Sequence, residues 1–353
     1  MKTVFIRELK PFLDAVAAKM DLYVPKKAGE FYVFSRYEPS VEGVVELNNI
    51  RACTPVKEFL FPLRELAAVF PEAVEAEEKR PFAVFGLKDC DLRSIEILDK
   101  VFKEEEFADP FYVERRRNML IISSDCFEPG ESCICNVLEG RPFAGSGFDL
   151  NVSGVRDGFV IEAGSDKGEE LIAKNSQLFS EVPEKLLAER DENRAQTQKQ
   201  LEQQNAELRF DVPVKELVES NYDSDVWDAE AKTCVECQAC TRICPTCHCF
   251  FLYDTRQKDY FAKMKMWDSC MRMAYAQVAG GANPNKILGD RIRHRLMHKF
   301  VYFLDRYGLQ MCVGCGRCVD AETGGVDLDL RGILKKLSEE LKGKDKKKAE
   351  VAR

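Results

Sequence analysis

No apolar run in the 353 residues reaches the roughly 18 positions that a membrane-spanning helix needs, so no span of that kind is expected. The opening Met1-Lys2-Thr-Val-Phe-Ile6 turns polar at once, without the apolar stretch of an export signal, and a cytoplasmic location is the expectation. An excess of positive charge is missing too. The 52 Lys and Arg against 60 Asp and Glu leave a formal charge of -8, which disfavours a general nucleic-acid binder. Neither a Gly-x-Gly-x-x-Gly fingerprint nor a Walker loop occurs, and no nucleophile-base pair stands out. A substrate or nucleotide site on this chain is therefore not expected.

Cysteine is what the chain has in quantity. Fifteen of them without an export signal point to a reducing compartment, where thiols bind metal and do not pair as disulfides. Two runs stand in the last third: Cys234-x2-Cys237-x2-Cys240-x3-Cys244-Pro245 and Cys312-Val-Gly-Cys315-Gly-Arg-Cys318. Each reads as half of a bacterial two-cluster ferredoxin, in which three closely spaced cysteines hold three corners of a 4Fe-4S cubane and the fourth, before a proline, crosses to the other cluster. Cys234, Cys237 and Cys240 are thus expected on cluster one, and Cys244, Cys312, Cys315 and Cys318 on cluster two. Gly314 and Gly316 fit, because backbone without a β-carbon can approach the inorganic sulfides and donate N–H bonds. Zinc fits poorly, since its sites usually space two C-x2-C pairs well apart.

One position breaks the pattern. The second run should end in x3-Cys-Pro, but Glu322 stands where the cysteine of cluster one belongs. The fourth ligand could be Glu322 itself, Cys247 or Cys249 from Pro245-Thr-Cys-His-Cys-Phe250, or Cys270; with none of them, a 3Fe-4S cluster or a labile iron would result.

Residues 1–175 read as a mixed α/β domain. Strand-like runs occur at Phe31–Phe34, Pro81–Gly86 and Met119–Ile122, and amphipathic helical runs at Lys57–Leu66 and Leu92–Phe102. Cys90, Cys126, Cys133 and Cys135 fall just beyond strands, in polar contexts rich in turn residues, and are expected to hold a third 4Fe-4S cluster; buried inert thiols are the competing reading, and Cys53 is one of those. Asp89 and Asp91 suit helix capping, and Arg115-Arg-Arg117 a solvated face or a subunit contact. Residues 176–230 read as a helical linker, exposed over Gln198–Leu208, with Pro213–Glu219 as a further helix. Residues 231–335 read as the two-cluster domain, interrupted by a long helical insertion with helices at Lys263–Trp267 and Asp290–Arg306. His294 and His298, at i and i+4, are expected to be lone surface residues, and the basic face around them to dock an acidic partner or a neighbour's flavin phosphate. Residues 336–353 read as a frayed basic tail. The fold class is α+β.

Nearly the whole chain, in order, resembles the iron-sulfur β subunit of cytoplasmic sulfhydrogenases and the corresponding iron-sulfur subunit of anaerobic sulfite reductase. The resemblance is carried by Phe85-Gly-Leu-Lys-Asp-Cys-Asp-Leu-Arg93, Asp109-Pro-Phe-Tyr112, Cys126 with Cys133-Ile-Cys135, Cys244-Pro-Thr-Cys-His-Cys249, Trp267-Asp-Ser-Cys270 and Arg306-Tyr-Gly-Leu-Gln-Met-Cys-Val-Gly-Cys-Gly-Arg-Cys318. It implies an electron-transfer subunit relaying between a subunit that binds FAD and uses NAD(P)H and a catalytic oxidoreductase subunit. Two other functions compete with the relay. An open iron on cluster one could bind a small sulfur ligand, or the clusters could be purely structural or regulatory.

Overall fold

The computed structural model describes residues 2–40, 47–70, 80–256, 260–321 and 329–351, with side chains as far as 344. It divides into two units, Met1–Phe61 with Glu75–Gln204, and Pro62–Val74 with Asn205–Arg353. In chain order the described strands are β1 (Thr3–Ile6), β2 (Asp21–Ala28), β3 (Phe31–Arg36), β4 (Arg64–Phe70), β5 (Phe82–Leu87), β6 (Met119–Ser124), β7 (Leu150–Val155), β8 (Gly158–Ala163), β9 (Phe250–Arg256) and β10 (Phe261–Trp267).

The first unit is built on a seven-stranded sheet in the order β1-β8-β7-β6-β5-β2-β3. Its centre, β2-β5-β6-β7, is parallel, and antiparallel strands close both edges. A parallel sheet covered on both faces needs strands that are apolar throughout, and β6 is buried along its whole length. The core gathers Phe12, Leu22, Phe85, Ile122, Leu150 and Ile161. The helix Asp89–Phe102 follows β5 and buries Leu92, Ile95, Leu98 and Phe102 at helical spacing. Asp91 caps it by accepting the Lys88 backbone N–H at 3.1 Å. Parallel pairing of Phe85 with Ile122 sets the C-terminal ends of β5 and β6 side by side, so Cys90 and Cys126 leave the sheet at the same edge, where open α/β sheets bind ligands.

The α+β class and the mixed N-terminal sheet are as expected; several local readings are corrected. The helix expected over 57–66 is only Lys57–Leu60, because Pro62 lacks the N–H a helix would need, and β4 follows it into the second unit. Lys263–Trp267 is not helical. It lies in β10, hydrogen-bonded on both sides in the sheet β4-β10-β9, so the insertion opens on a hairpin before turning helical at Leu288–Met297. An apolar run this short does not reveal its own period, and its partner β4 lies far away in the chain. The Arg115-Arg-Arg117 triplet is a solvated face only at Arg117, which is exposed: Arg115 is buried and donates to the Leu60 carbonyl, and Arg116 pairs with Asp99.

The stretch read as a linker is divided between the units. Its long helix, Glu184–Gln204, lies on the first sheet, where Arg194 bonds Asp125 and Glu162 at 2.7 Å each and Arg190 bonds Glu162 at 2.9 Å. Val214–Glu219 and Val226–Ala231 belong to the second unit and bury Leu217, Val218 and Trp227. Asp125 is only 4% exposed, so Arg194→Met takes the guanidinium from a buried carboxylate that keeps the Asn151 amide, at 3.0 Å. The expected cost is about 3 kcal/mol in the first unit, measured by urea denaturation; a change under about 0.5 kcal/mol would mean that the helix is only loosely attached. The terminal basic segment is no frayed tail as far as residue 344. The helix Leu330–Val351 buries Leu334 and Leu337, Lys336 pairs with Glu230, and Lys344 donates to Asn221 at 3.0 Å. Among the described residues no helix is long and apolar enough to cross a membrane.

Candidate metal centres

The two C-terminal cysteine runs share one backbone plan. Two residues after Cys234 and after Cys312 the chain enters the left-handed region, at Glu236 (φ 56) and Gly314 (φ 65), and two residues further it does so again, at Gln238 (φ 63) and Gly316 (φ 75). A short helix follows each time, Ala239–Arg242 and Arg317–Asp320, carrying Cys240 and Cys318. The N–H of Glu236 donates to the Cys234 sulfur, and that of Gly314 to the Cys312 sulfur. Left-handed backbone is free for glycine but costs about 1 kcal/mol at Glu236 and at Gln238. That cost recurring at matched positions marks a loop shaped to turn its amides towards a bound anion. Gly314 and Gly316 were legible from the sequence; Glu236 and Gln238 were not.

Two neighbourhoods of sulfur stand out in the second unit. Burial pushes the Cys318 thiol up to about 12; Arg295 opposes this, and Cys244, Cys312 and Cys315 add to it. Burial likewise raises Cys312, against Lys299 and the Gly314 amide, with Cys244 and Cys315 again its sulfur neighbours. Cys244, Cys312, Cys315 and Cys318 thus stand together in a dry pocket. Cys234 is raised by burial, with Cys240 and Cys237 beside it, and Cys237 is exposed. A cubane's ligand sulfurs bind separate irons and so stand wider apart than the ligands of one ion, and these two groups, of three sulfurs and of four, fit that kind of donor set. Among the described residues, no three His, Cys, Asp or Glu side chains converge on a point that a single ion could occupy.

The electrostatics fit an anionic guest. Arg291, Arg295 and Lys299, spaced i, i+4, i+8 across Leu288–Met297 and the π-helical turn His298–Tyr302, form one buried stripe. It runs along the first cysteine run. Arg291 pairs with Glu236 at 3.0 Å, Arg295 Nη2 donates to the Cys240 carbonyl at 3.3 Å, and Lys299 Nζ lies 3.3 Å from Cys244 Sγ and 3.1 Å from Thr246 Oγ1. Burial would strip the proton from Lys299, but Cys244, Cys247 and Cys312 more than reverse this; Cys240, Cys318, Cys247 and Cys244 do the same for Arg295. The Arg295 Nε is buried without a protein partner. A buried cation stays charged only where negative charge faces it, and here sulfur supplies it. The basic face expected to meet an outside partner therefore points inward, to the cysteines.

In the first unit, Cys126, Cys133 and Cys135 are mutual neighbours. Burial pushes Cys126 up to about 12, against Lys88, and Cys135 higher still, with Cys133 and Cys126 adding to it. Cys90 joins them through Lys88. That lysine is fully buried and donates to the Asn48 carbonyl at 2.6 Å, the Asp125 carbonyl at 2.7 Å and Ser124 Oγ at 2.9 Å. Burial lowers its pKa; Cys126, Asp125, Asp91 and Cys90 work against that. This site repeats the design of the C-terminal one: low-dielectric sulfur beside a buried ammonium. Sequence reasoning missed Lys88, whose only outward signal is a lysine at the end of a buried strand.

Other predicted positions sort differently. Cys53 is half-buried, not a core thiol, and its N–H donates to the Tyr32 carbonyl at 2.7 Å. Cys247 and Cys270 are buried, and Cys249 is hydrogen-bonded to Cys270. Glu322 lies outside the described residues. The histidines are not lone surface residues. His248, His294 and His298, all three that the chain has, pack ring against ring, 5.6 Å between His248 and His298 and 6.5 Å between His294 and His298. Burial, together with His248, Lys299 and His294, pushes His298 down to about 3, and burial lowers His294 as well.

Residues 233–326 match the family model of the 4Fe-4S dicluster domain. Across 306 residues, 84% of this chain and 86% of the relative, the sequence is 34% identical to sulfhydrogenase 2 subunit beta of Pyrococcus furiosus.

Proposed function

The chain belongs to the sulfhydrogenase β-subunit family, and on that premise we propose that it is the electron-relay subunit of a cytoplasmic multi-subunit oxidoreductase. Bound 4Fe-4S clusters would supply one-electron transfer at low potential. In this reading Cys234, Cys237 and Cys240 hold cluster one, Cys244, Cys312, Cys315 and Cys318 hold cluster two, and Cys90, Cys126, Cys133 and Cys135 hold a third. The residues around them bind and tune. Arg295, Lys299 and Lys88 offset the negative charge of the reduced state, and the amides of Glu236 and Gly314 donate to ligand sulfur. Electrons would pass between a partner subunit that holds FAD and uses NAD(P)H and a second that carries the terminal reaction.

The observation that carries the reading is the left-handed backbone pattern repeated at Glu236/Gln238 and Gly314/Gly316, with sulfur on one side and buried cations on the other. Anaerobic iron and acid-labile sulfide analysis tests it. About twelve irons per chain, with matching sulfide and EPR signals of reduced cubanes, is the expected result. Zinc in place of iron, or fewer than about eight irons in the anaerobically purified protein, would defeat it.

A further inference from the structure

Cluster one has three cysteines in its own run, and its fourth ligand comes from elsewhere in the chain. We propose that Cys270 is that ligand, carried back to the loop by the hairpin that opens the insertion; this rests on the two-cluster reading above. The bond forms between Cys270 Sγ and the fourth iron, and the thiol proton leaves to solvent.

The geometry converges from two directions. Cys240 is followed by Thr241, and Cys270 is preceded by Ser269; the hydroxyls of Thr241 and Ser269 are 2.8 Å apart, with both residues buried. That bond ties the helix bearing Cys240 to the turn bearing Cys270. The second tie is the hairpin itself. β10 ends at Trp267 opposite Phe250, and the Asp268 N–H donates to the Cys249 carbonyl at 2.8 Å, so the chain re-enters the cysteine region at Cys270. Cys270 is 6% exposed. Arg295 bonds the Cys240 carbonyl.

The other candidates stand differently. Cys249 is influenced by Cys270, Tyr275, Lys299 and Asp268, with the Tyr275 hydroxyl donating to its sulfur at 3.5 Å. Cys247 faces Arg295 and Lys299, the cations that also serve Cys244. The insertion thereby acquires a function: it supplies the corner that the second run lacks.

Four variants of the full chain, purified anaerobically, test this by iron count and EPR. Cys270→Ala is expected to lose one iron per chain and to show an oxidised 3Fe-4S signal, whereas Cys249→Ala and Glu322→Ala keep the wild-type iron count and show no 3Fe-4S signal. Cys270→Ser, whose oxygen can hold the fourth iron, guards against a misfolded alanine variant and is expected to keep its iron with an altered cubane spectrum. A 3Fe-4S signal in Cys249→Ala or Glu322→Ala but not in Cys270→Ala would overturn the assignment. So would a Cys270→Ser spectrum identical to wild type. Wild-type protein without any cubane signal would instead remove the reading on which the assignment rests.

Discussion

Cys244→Ala is expected to strip about one of about twelve irons from the chain, leaving a 3Fe-4S signal, and to cost the second unit about 3–5 kcal/mol. The first effect follows from removing one corner of a cubane. The second follows from Lys299, which is 3% exposed and has its ammonium 3.3 Å from the Cys244 sulfur. Without that sulfur the acceptor left to the buried charge among the described residues is Thr246 Oγ1, at 3.1 Å. Iron analysis and anaerobic urea denaturation read the two effects separately. The double variant Cys244→Ala/Lys299→Met removes the stranded charge as well, and should recover about 1–3 kcal/mol relative to simple addition of the single effects. Strict additivity would mean that Lys299 is not held by the sulfur. Lys299→Met alone should keep all the iron and lower the potential of cluster two, because the cation favours the added electron. A charge-assisted bond of about 1.5–3 kcal/mol corresponds to about 60–130 mV for one electron, which an EPR-monitored redox titration resolves.

Lys88→Met should be as damaging to the first unit. Lys88 is fully buried, and its three acceptors come from two separate pieces of chain: Asn48, and the end of β6 where Ser124 is followed by Asp125 and Cys126. Each acceptor left without a donor in the interior costs about 1–3 kcal/mol, and a total of about 3–5 kcal/mol is expected after relaxation. The loops that bear Cys90 and Cys126 are held together by this side chain, so about four irons should go with it. Lys88→Arg should not rescue, because a planar guanidinium cannot replace a compact ammonium among three converging oxygens. A Lys88→Met protein with unchanged denaturation midpoint and full iron would show that the site is assembled by other contacts.

The cysteine groups were legible because a cubane imposes short, local spacing on its ligands. Three sulfurs on one loop leave a C-x2-C-x2-C signature that no distant contact alters, and the mixed sheet was visible for a similar reason, since β6 opens on the apolar run Met119–Ile122. The sequence by itself determined which sulfurs belong to which run, that Glu322 breaks the second run, and that the N-terminal half carries a mixed sheet. It did not determine what lies across from those sulfurs. That β10 is a strand depends on its pairing with β4 and β9, and the inward turn of Arg291, Arg295 and Lys299 depends on where the loops lie against their helix. The approach of Cys270 to Cys240 depends on one hydroxyl pair, Thr241 and Ser269. Periodicity records that a helix has a charged face, but not whether that face meets water or thiolate. Only tertiary structure decides that, because the energy that keeps a buried cation charged comes from groups remote in the chain.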